Sequence, residues 1–242
     1  MIRLARRRYG ATNYAYLLAA GEDAALVDPG DAAAALALVA EAGVRPRWII
    51  HTHAHPDHTG GTAEVAARLG AEVLGHPGDA GWFAPGRLIA DGEVLALGAL
   101  EVRVHHAPGH TPGSVLLACG GHLLTGDTLF TGGSGNCRNG GDPAVLARSF
   151  LGVLAGLDGQ LVVQPGHDYA AANLPFVLAL EPGNREAAAR LEAVRAAAAA
   201  GREPEAVSLA EERRVNPFLR AHSVAAFVAL RARRDGWVAP AG

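Results

Sequence analysis

Four histidines and one aspartate fall within eight residues in the string His51-Thr52-His53-Ala54-His55-Pro56-Asp57-His58. Imidazole is the commonest side-chain ligand for borderline metals, and carboxylate completes such sites. His53 and His55 alternate along an extended backbone, so both side chains point the same way. Asp57 and His58 follow across the bend set by Pro56. One turn therefore offers two ligands to one metal and two to a neighbour. A polar loop of chance composition would account for a lone histidine. At this spacing, desolvating so many polar groups needs compensation, and a cation supplies it. Four further polar residues each end an apolar run and precede a glycine or a turn: Asp28 in VDPG, His110 in APGHTPGS, Asp127 in LLTGDTLF and His167 in VVQPGHDY. Site residues are carried on loops at strand ends in this way.

The elements that must position these residues alternate at first. Residues 1–8, 13–19 and 24–28 read as strands, and 32–42 as a helix capped by Asp31 and ended by Gly43. A strand at 47–50 leads into the histidine string, a helix covers 62–69, and a strand covers 71–75. The stretch 93–125 is strand-rich (93–97, 100–106, 114–119, 122–125), with turns at Gly98-Ala99 and Gly120-Gly121. The glycine-rich run from Gly126 to Gly141 is expected to be a structureless loop. Its place directly after Asp127 makes it a wall of the site. Asp142-Pro143 starts a helix over 143–155, and 161–164 is the last strand. From Ala170 only helices are expected: 170–180, 185–200 and 224–234. The pattern predicts mixed α and β structure, with a unit 1–170 followed by a helical cap 171–242.

Composition sets limits. The chain has 242 residues and a net charge of −3, and its 21 basic residues are all arginine. Neither a nucleic-acid nor an anionic-membrane footprint is expected, since each needs clustered positive charge. Arginine is the only strong cationic partner for an anionic substrate. Cys119 and Cys137 show no CxxC spacing and no disulfide framework, which fits a reducing, cytoplasmic setting. Neither a signal peptide nor a membrane-spanning helix is expected. The sequence leaves the oligomeric state open.

The string HxHxDH, followed in order by the motifs at His110, Asp127 and His167, resembles the signature of the metallo-β-lactamase superfamily. GDTLF, PGHDY, EPGN, SLAEE, NPFLR and FVALRARRDGW narrow the resemblance to the glyoxalase II-like hydroxyacylglutathione hydrolases. The resemblance implies an α+β, four-layer αβ/βα sandwich with a C-terminal helical extension. It assigns one metal to His53, His55 and His110 and a second to Asp57, His58 and His167, with Asp127 bridging. Two divalent ions are implied; zinc is expected, with iron and manganese as alternatives within the same donor chemistry. A bridging hydroxide would attack a thioester carbonyl, with catalytic roles for Asp57, Asp127 and His110 and support for the histidine loop from Asp28. The thiolate would leave without a strong acid.

Substrate contacts are expected from Asn136, Cys137, Arg138 and Tyr169, with Cys137 also a candidate reactive thiol. Arg148, Arg214 and Arg220 are weaker candidates. In the loop after the bridging aspartate the branch carries a lysine and a tyrosine, where the corresponding stretch here, 135–142, has neither. It also carries basic residues after the NPF motif, whose counterparts are taken as His222 and Val224. His51, His76, His105, His106, His122 and His222 are assigned structural roles. The alternative within the same fold is a persulfide dioxygenase using one iron on His53, His110 and Asp127. A nuclease of the RNase Z type and a non-catalytic metal-binding relic fit less well. Since no leader is expected, an exported β-lactamase is disfavoured as well.

Overall fold

In the computed structural model, residues 2–238 are described. Met1, expected to begin the first strand, and 239–242, at the end of the expected cap, lie outside them. Two sheets form the centre. The first has six strands in chain order: β1 (Arg3–Tyr9), β2 (Asn13–Ala20), β3 (Asp23–Val27), β4 (Trp48–Ile50), β5 (Glu72–Gly75) and β6 (Arg87–Leu88). Strands β3 to β6 run parallel. The helices α1 (Ala32–Ala42), α2 (Pro56–Thr59) and α3 (Thr62–Leu69) fall between them. The second sheet joins β7 (Val94–Leu97), β8 (Leu100–His106), β9 (Val115–Cys119) and β10 (His122–Gly126), and β13 (Val162–Pro165) adds parallel to β10.

Period-two alternation builds the layers. Tyr14, Tyr16 and Leu18 of β2 face the second sheet and pack with Leu95, Val102, Val104, Leu117 and Leu124. Leu17 and Ala19, between them, face α1 and α3 with Leu38, Val39 and Val65. On the second sheet, Leu116, Leu123 and Val163 face Leu146 of α4 (Pro143–Arg148) and the π-turn Ser149–Leu154 that continues it. The result is the four-layer αβ/βα sandwich. All three residues of β4 are buried, as expected of a central parallel strand, and its carboxyl end delivers the histidine string.

The C-terminal segment is α5 (Ala170–Leu180), α6 (Arg185–Ala199), α7 (Leu209–Val215) and α8 (Val224–Asp235). The first three share a small core of Leu174, Val177, Leu191, Val194 and Val215. Helix α8 returns to the second sheet, where Phe227 lies against Phe150 and Phe218. Sequence reading missed α7, although Ser208 and Glu211 form a reciprocal capping box. Among the described residues no helix is long and apolar enough to cross a membrane.

The run after Asp127 differs from the expected structureless loop. Its first part folds as a small hairpin, β11 (Leu129–Phe130) and β12 (Gly133–Ser134), and is largely buried through Gly135, whereas 136–141 carries no strand and is mostly exposed. The helical segment holds it by side chains. Asn216 Nδ2 donates to the carbonyls of Phe130 and Gly133, Asn173 Nδ2 to that of Thr131, and Arg231 to that of Ser134. Glu212 accepts from the Gly132 amide. Backbone polar groups with few partners of their own are satisfied from elsewhere in the chain.

Candidate metal centre

The parallel strands of the first sheet end side by side, and their following loops converge. Asp28 directly follows β3 and is the only non-glycine among the described residues with positive φ, at 52°. Its carboxylate accepts from the Thr52 amide (2.8 Å) and hydroxyl (2.5 Å) and faces His58 Nδ1 at 3.0 Å. Strained backbone held by this many contacts is a mark of functional sites. Pro56 opens the single turn of α2, which places Asp57 and His58 on one side. His110 follows β8, Asp127 follows β10 and His167 follows β13, from the second sheet.

Ligand atoms of His53, His55 and His110 lie within 4.8 Å of one another, as do those of Asp57, His58 and His167. Asp127 stands between the groups: Oδ1 is 3.3 Å from His58 Nε2, and Oδ2 is 3.6 Å from His110 Nε2 and 3.4 Å from His167 Nε2. Asp28, His53 and His58 form a third such grouping. There, however, both Asp28 oxygens already serve Thr52 and the outer nitrogen of His58, so Asp28 orients a ring rather than offering a free ligand atom. Gly166 keeps the centre open, since a Cβ there would meet Asp127 Oδ1 at 2.6 Å and His58 Cε1 at 2.7 Å.

The outer nitrogens fix the rings. His110 Nδ1 faces the Asn136 carbonyl at 2.7 Å, and His55 Nε2 faces the Asn139 carbonyl at 3.1 Å. Carbonyl oxygens only accept, so both nitrogens carry protons. In the neutral rings the inner atoms, His110 Nε2 and His55 Nδ1, are then bare lone pairs facing each other at 2.9 Å. His58 donates from Nδ1 to Asp28, and its Nε2 meets His167 Nε2 at 3.2 Å. His167 Nδ1 is held by the Thr12 hydroxyl at 3.0 Å. His53 Nε2 and Asp127 Oδ1 are buried with no hydrogen-bond partner. Lone pairs converging on unpartnered buried atoms fit cations and little else.

The electrostatics agree at the first group and differ at the second. There burial is outweighed by Asp127 and Asp28 at His58 and by Asp127 and Asp57 at His167, so both are held above the ordinary histidine value, toward a form in which a proton takes the place of a cation. Burial, with neighbouring histidines adding to it, pushes His53 and His110 below the ordinary histidine value, toward the neutral, ligating form. Burial alone would raise the carboxyls of Asp28 and Asp127. It is outweighed by the close rings of His51 and His58 at Asp28, and by those of His58, His167 and His53 at Asp127, so both are held well below the carboxylate range. The His167 ring, with Nε2 3.3 Å from Oδ2, does the same for Asp57, whose Oδ2 also accepts from Asn13 Nδ2 at 3.0 Å.

Beside the centre is a cavity of about 390 Å³ lined by residues that include Phe130, Asn136, Arg138, Tyr169, Arg231 and Arg234. Tyr169 stacks on His167 with ring centroids 4.8 Å apart. Three of the four expected substrate contacts, Asn136, Arg138 and Tyr169, therefore line one space. Cys137 does not. Its side chain packs with the cluster beneath α8, and burial pushes its thiol up to about 11, so it is not a reactive thiolate. His222 is exposed and Val224 packs into that same cluster, so neither supplies the basic groups expected near the NPF motif. Arg231 and Arg234, three apart on α8, face the cavity instead, a pairing visible as RARR in the sequence but not singled out. Arg214 and Arg220 are tied to Glu186 and Glu181 away from the cavity, and Arg148 is not among its lining residues. His51 is buried, 3.0 Å from the Thr62 hydroxyl and 3.4 Å from Asp28, outside both ligand groups.

Residues 9–167 match the sequence profile of the metallo-beta-lactamase superfamily, and residues 168–237 match that of the hydroxyacylglutathione hydrolase C-terminus. The chain is 64% identical to a hydroxyacylglutathione hydrolase of Anaeromyxobacter dehalogenans, over 95% of this chain and 98% of that one. It is 41% identical to one of Acidiphilium cryptum, over 93% of each. Among solved structures it is similar to ETHE1 from Myxococcus xanthus (TM-score 0.75, 26% identity, covering 99% of this chain and 93% of that one). It is also similar to a protein solved in a di-iron-bound form (TM-score 0.64, 29% identity, 88% and 98% covered).

Proposed function

This chain belongs to the metallo-beta-lactamase superfamily and, within it, to the hydroxyacylglutathione hydrolases; from that premise we propose that it cleaves a glutathione-type thioester at a centre of two divalent ions, zinc first among the candidates. The observation that carries the two-ion reading is the pair of facing ring-nitrogen contacts, His55 to His110 and His58 to His167, with Asp127 between them. One ion on His53, His110 and Asp127, as a persulfide dioxygenase would hold it, leaves the second contact without a cation.

His53, His55 and His110 would hold one ion, Asp57, His58 and His167 the other, and Asp127 both. When bound, the ions supply Lewis acidity, lowering the pKa of a shared water toward neutrality and polarising the thioester carbonyl. The chain's own residues do the rest. Asp57, fixed through Asn13 and left with an exposed face, is placed to accept a proton from a water at the centre. Asp28, Thr12 and the carbonyls of Asn136 and Asn139 hold the rings, so their inner nitrogens do not reorganise during turnover. Phe130 and Tyr169 wall the cavity between the centre and the arginines. A glutathione moiety carries two carboxylates, and Arg234, Arg231 and Arg138 are the cations available to receive them. The leaving thiolate needs no strong acid, because a thiol's pKa is only about 8.5. Cys119 and Cys137 are both free, which fits a reducing compartment.

Metal content per chain, hydrolysis of S-lactoylglutathione and oxygen uptake with glutathione persulfide, all on the purified protein, test the reading together. Two ions and thioester hydrolysis are expected, and Asp127→Ala is expected to lose most of both ions. One iron with oxygen consumption would overturn the reading.

A further inference from the structure

The first ligand group draws on two loops far apart in sequence, His53 and His55 after β4 and His110 after β8. Between them sits a carboxylate that belongs to neither. Asp79, only 2% exposed, ends the short turn Pro77–Asp79 that follows β5. Its Oδ2 accepts from the Ala54 amide at 3.0 Å and the Thr111 hydroxyl at 2.8 Å, and its Oδ1 accepts from the Gly113 amide at 2.6 Å. Ala54 lies between the ligands His53 and His55, and Thr111 adjoins the ligand His110. Thr111 is itself fixed by Ser114, its amide donating to the Ser114 hydroxyl at 3.0 Å and the two hydroxyls lying 2.8 Å apart. Two glycines permit the approach. A Cβ on Gly113 would stand 2.6 Å from Asp79, and one on Gly78 would stand 2.7 Å from the Pro112 carbonyl. None of the three donors to Asp79 belongs to the second group, whose rings are held by Asp28 and Thr12.

We infer that Asp79 is a positioning residue that ties the His53–His55 loop to the His110 loop, and so sets the affinity of the first metal position without touching the second. This rests on the two-ion reading above. A buried carboxylate accepting three hydrogen bonds cannot be replaced by an amide without turning a donor toward an N–H or O–H group. Asp79→Asn therefore pushes apart the two loops it now joins.

The test is titration of chelator-stripped protein with Zn²⁺, giving the number of ions and the affinity of each, for wild type, Asp79→Asn, Thr111→Val and Thr111→Ser. We expect Asp79→Asn to weaken one ion about tenfold or more, the range seen when an outer support of a metal ligand is removed, and to leave the other at its wild-type affinity. Adding His110→Ala to Asp79→Asn should weaken the same ion further and leave the other at its wild-type affinity, whereas adding His167→Ala should weaken the other ion as well. Thr111→Val, which deletes one of the three bonds with little change of shape, should weaken the same ion less, and Thr111→Ser should restore it. Should Asp79→Asn fail to fold, the Thr111 pair decides alone. Equal weakening of both ions, or none, overturns the inference. A wild type that binds fewer than two ions overturns the two-ion reading itself.

Discussion

At the scale of single residues, the proposed ligands and the proposed substrate contacts were unequally legible. His53, His55, Asp57 and His58 lie in one string and His110, Asp127 and His167 in apolar-run endings, so their residue types announced them. Thr12, Asn13 and Asp79 did not, because nothing local distinguishes them from any turn residue; only strand order brings them to the centre. The same holds for the arginines. Arg138 sits in the loop after Asp127, where a contact was expected, but its side chain is 67% exposed and faces Asp235 at 3.6 Å. Exposed pairs contribute little. Arg234, held by Asn173 Oδ1 at 3.1 Å and packed over Phe176, is the better anchored cation. With a glutathione thioester, Arg234→Ala is expected to raise KM about tenfold with kcat nearly unchanged, the sign of contact made equally in ground and transition states. Arg138→Ala should raise it only a few-fold. Both effects should vanish on a thioester whose thiol half has no carboxylate, and a larger effect from Arg138 would reverse the assignment.

At the scale of elements, alternating hydrophobicity and glycine turns marked most of the larger strands and helices of residues 13–180 within a few residues, since each buries one face. The hairpin β11–β12 escaped because its shape is imposed from outside. Its own residues, rich in glycine, have little preference for strand, and it is pinned by Asn173, Glu212, Asn216 and Arg231 from three helices. Glu212 gives this clamp a pH dependence. Burial, partly offset by the Gly132 amide and neighbouring donors, raises its carboxyl from the ordinary 4.5 to about 7. Between those values the folded chain holds a proton that the unfolded chain has released, so stability falls as pH rises through the window and levels off above it, by about 3 kcal/mol in all. Glu212→Gln keeps an acceptor for the Gly132 amide and removes the titration. Denaturant unfolding at pH 5 and pH 8, with both proteins in the same metal state, should show a gain for the variant at pH 8 relative to pH 5. An identical pH slope in the two proteins would exclude this role for Glu212.

At the scale of the whole molecule, chain order and packing divide differently. All seven proposed ligands precede residue 168, so a chain cut after residue 170 would keep every one of them and lose only substrate contacts, if the helices merely capped the sandwich. The core argues otherwise. Phe227 of α8 packs 4.9 Å from Phe150 and 5.1 Å from Phe218 by ring centroids, in one cluster with Leu116, Leu123 and Val163 of the second sheet. Truncation strips that face bare and frees the hairpin next to Asp127, whose carbonyls are held by Asn173, Asn216 and Arg231. The truncated chain is therefore expected to aggregate, as large newly exposed apolar surfaces do, and to bind neither ion with wild-type affinity. Within the full chain, Phe227→Ala should cost about 3–5 kcal/mol, the usual loss for a buried aromatic, and should lower the single unfolding transition as a whole. Calorimetry on the intact protein separates the two pictures. One cooperative transition that moves with Phe227→Ala means that sandwich and helices share a core. Two transitions, with metal retained by a soluble 1–170 fragment, would mean that the helices are an appendage and that the centre depends on the sandwich alone.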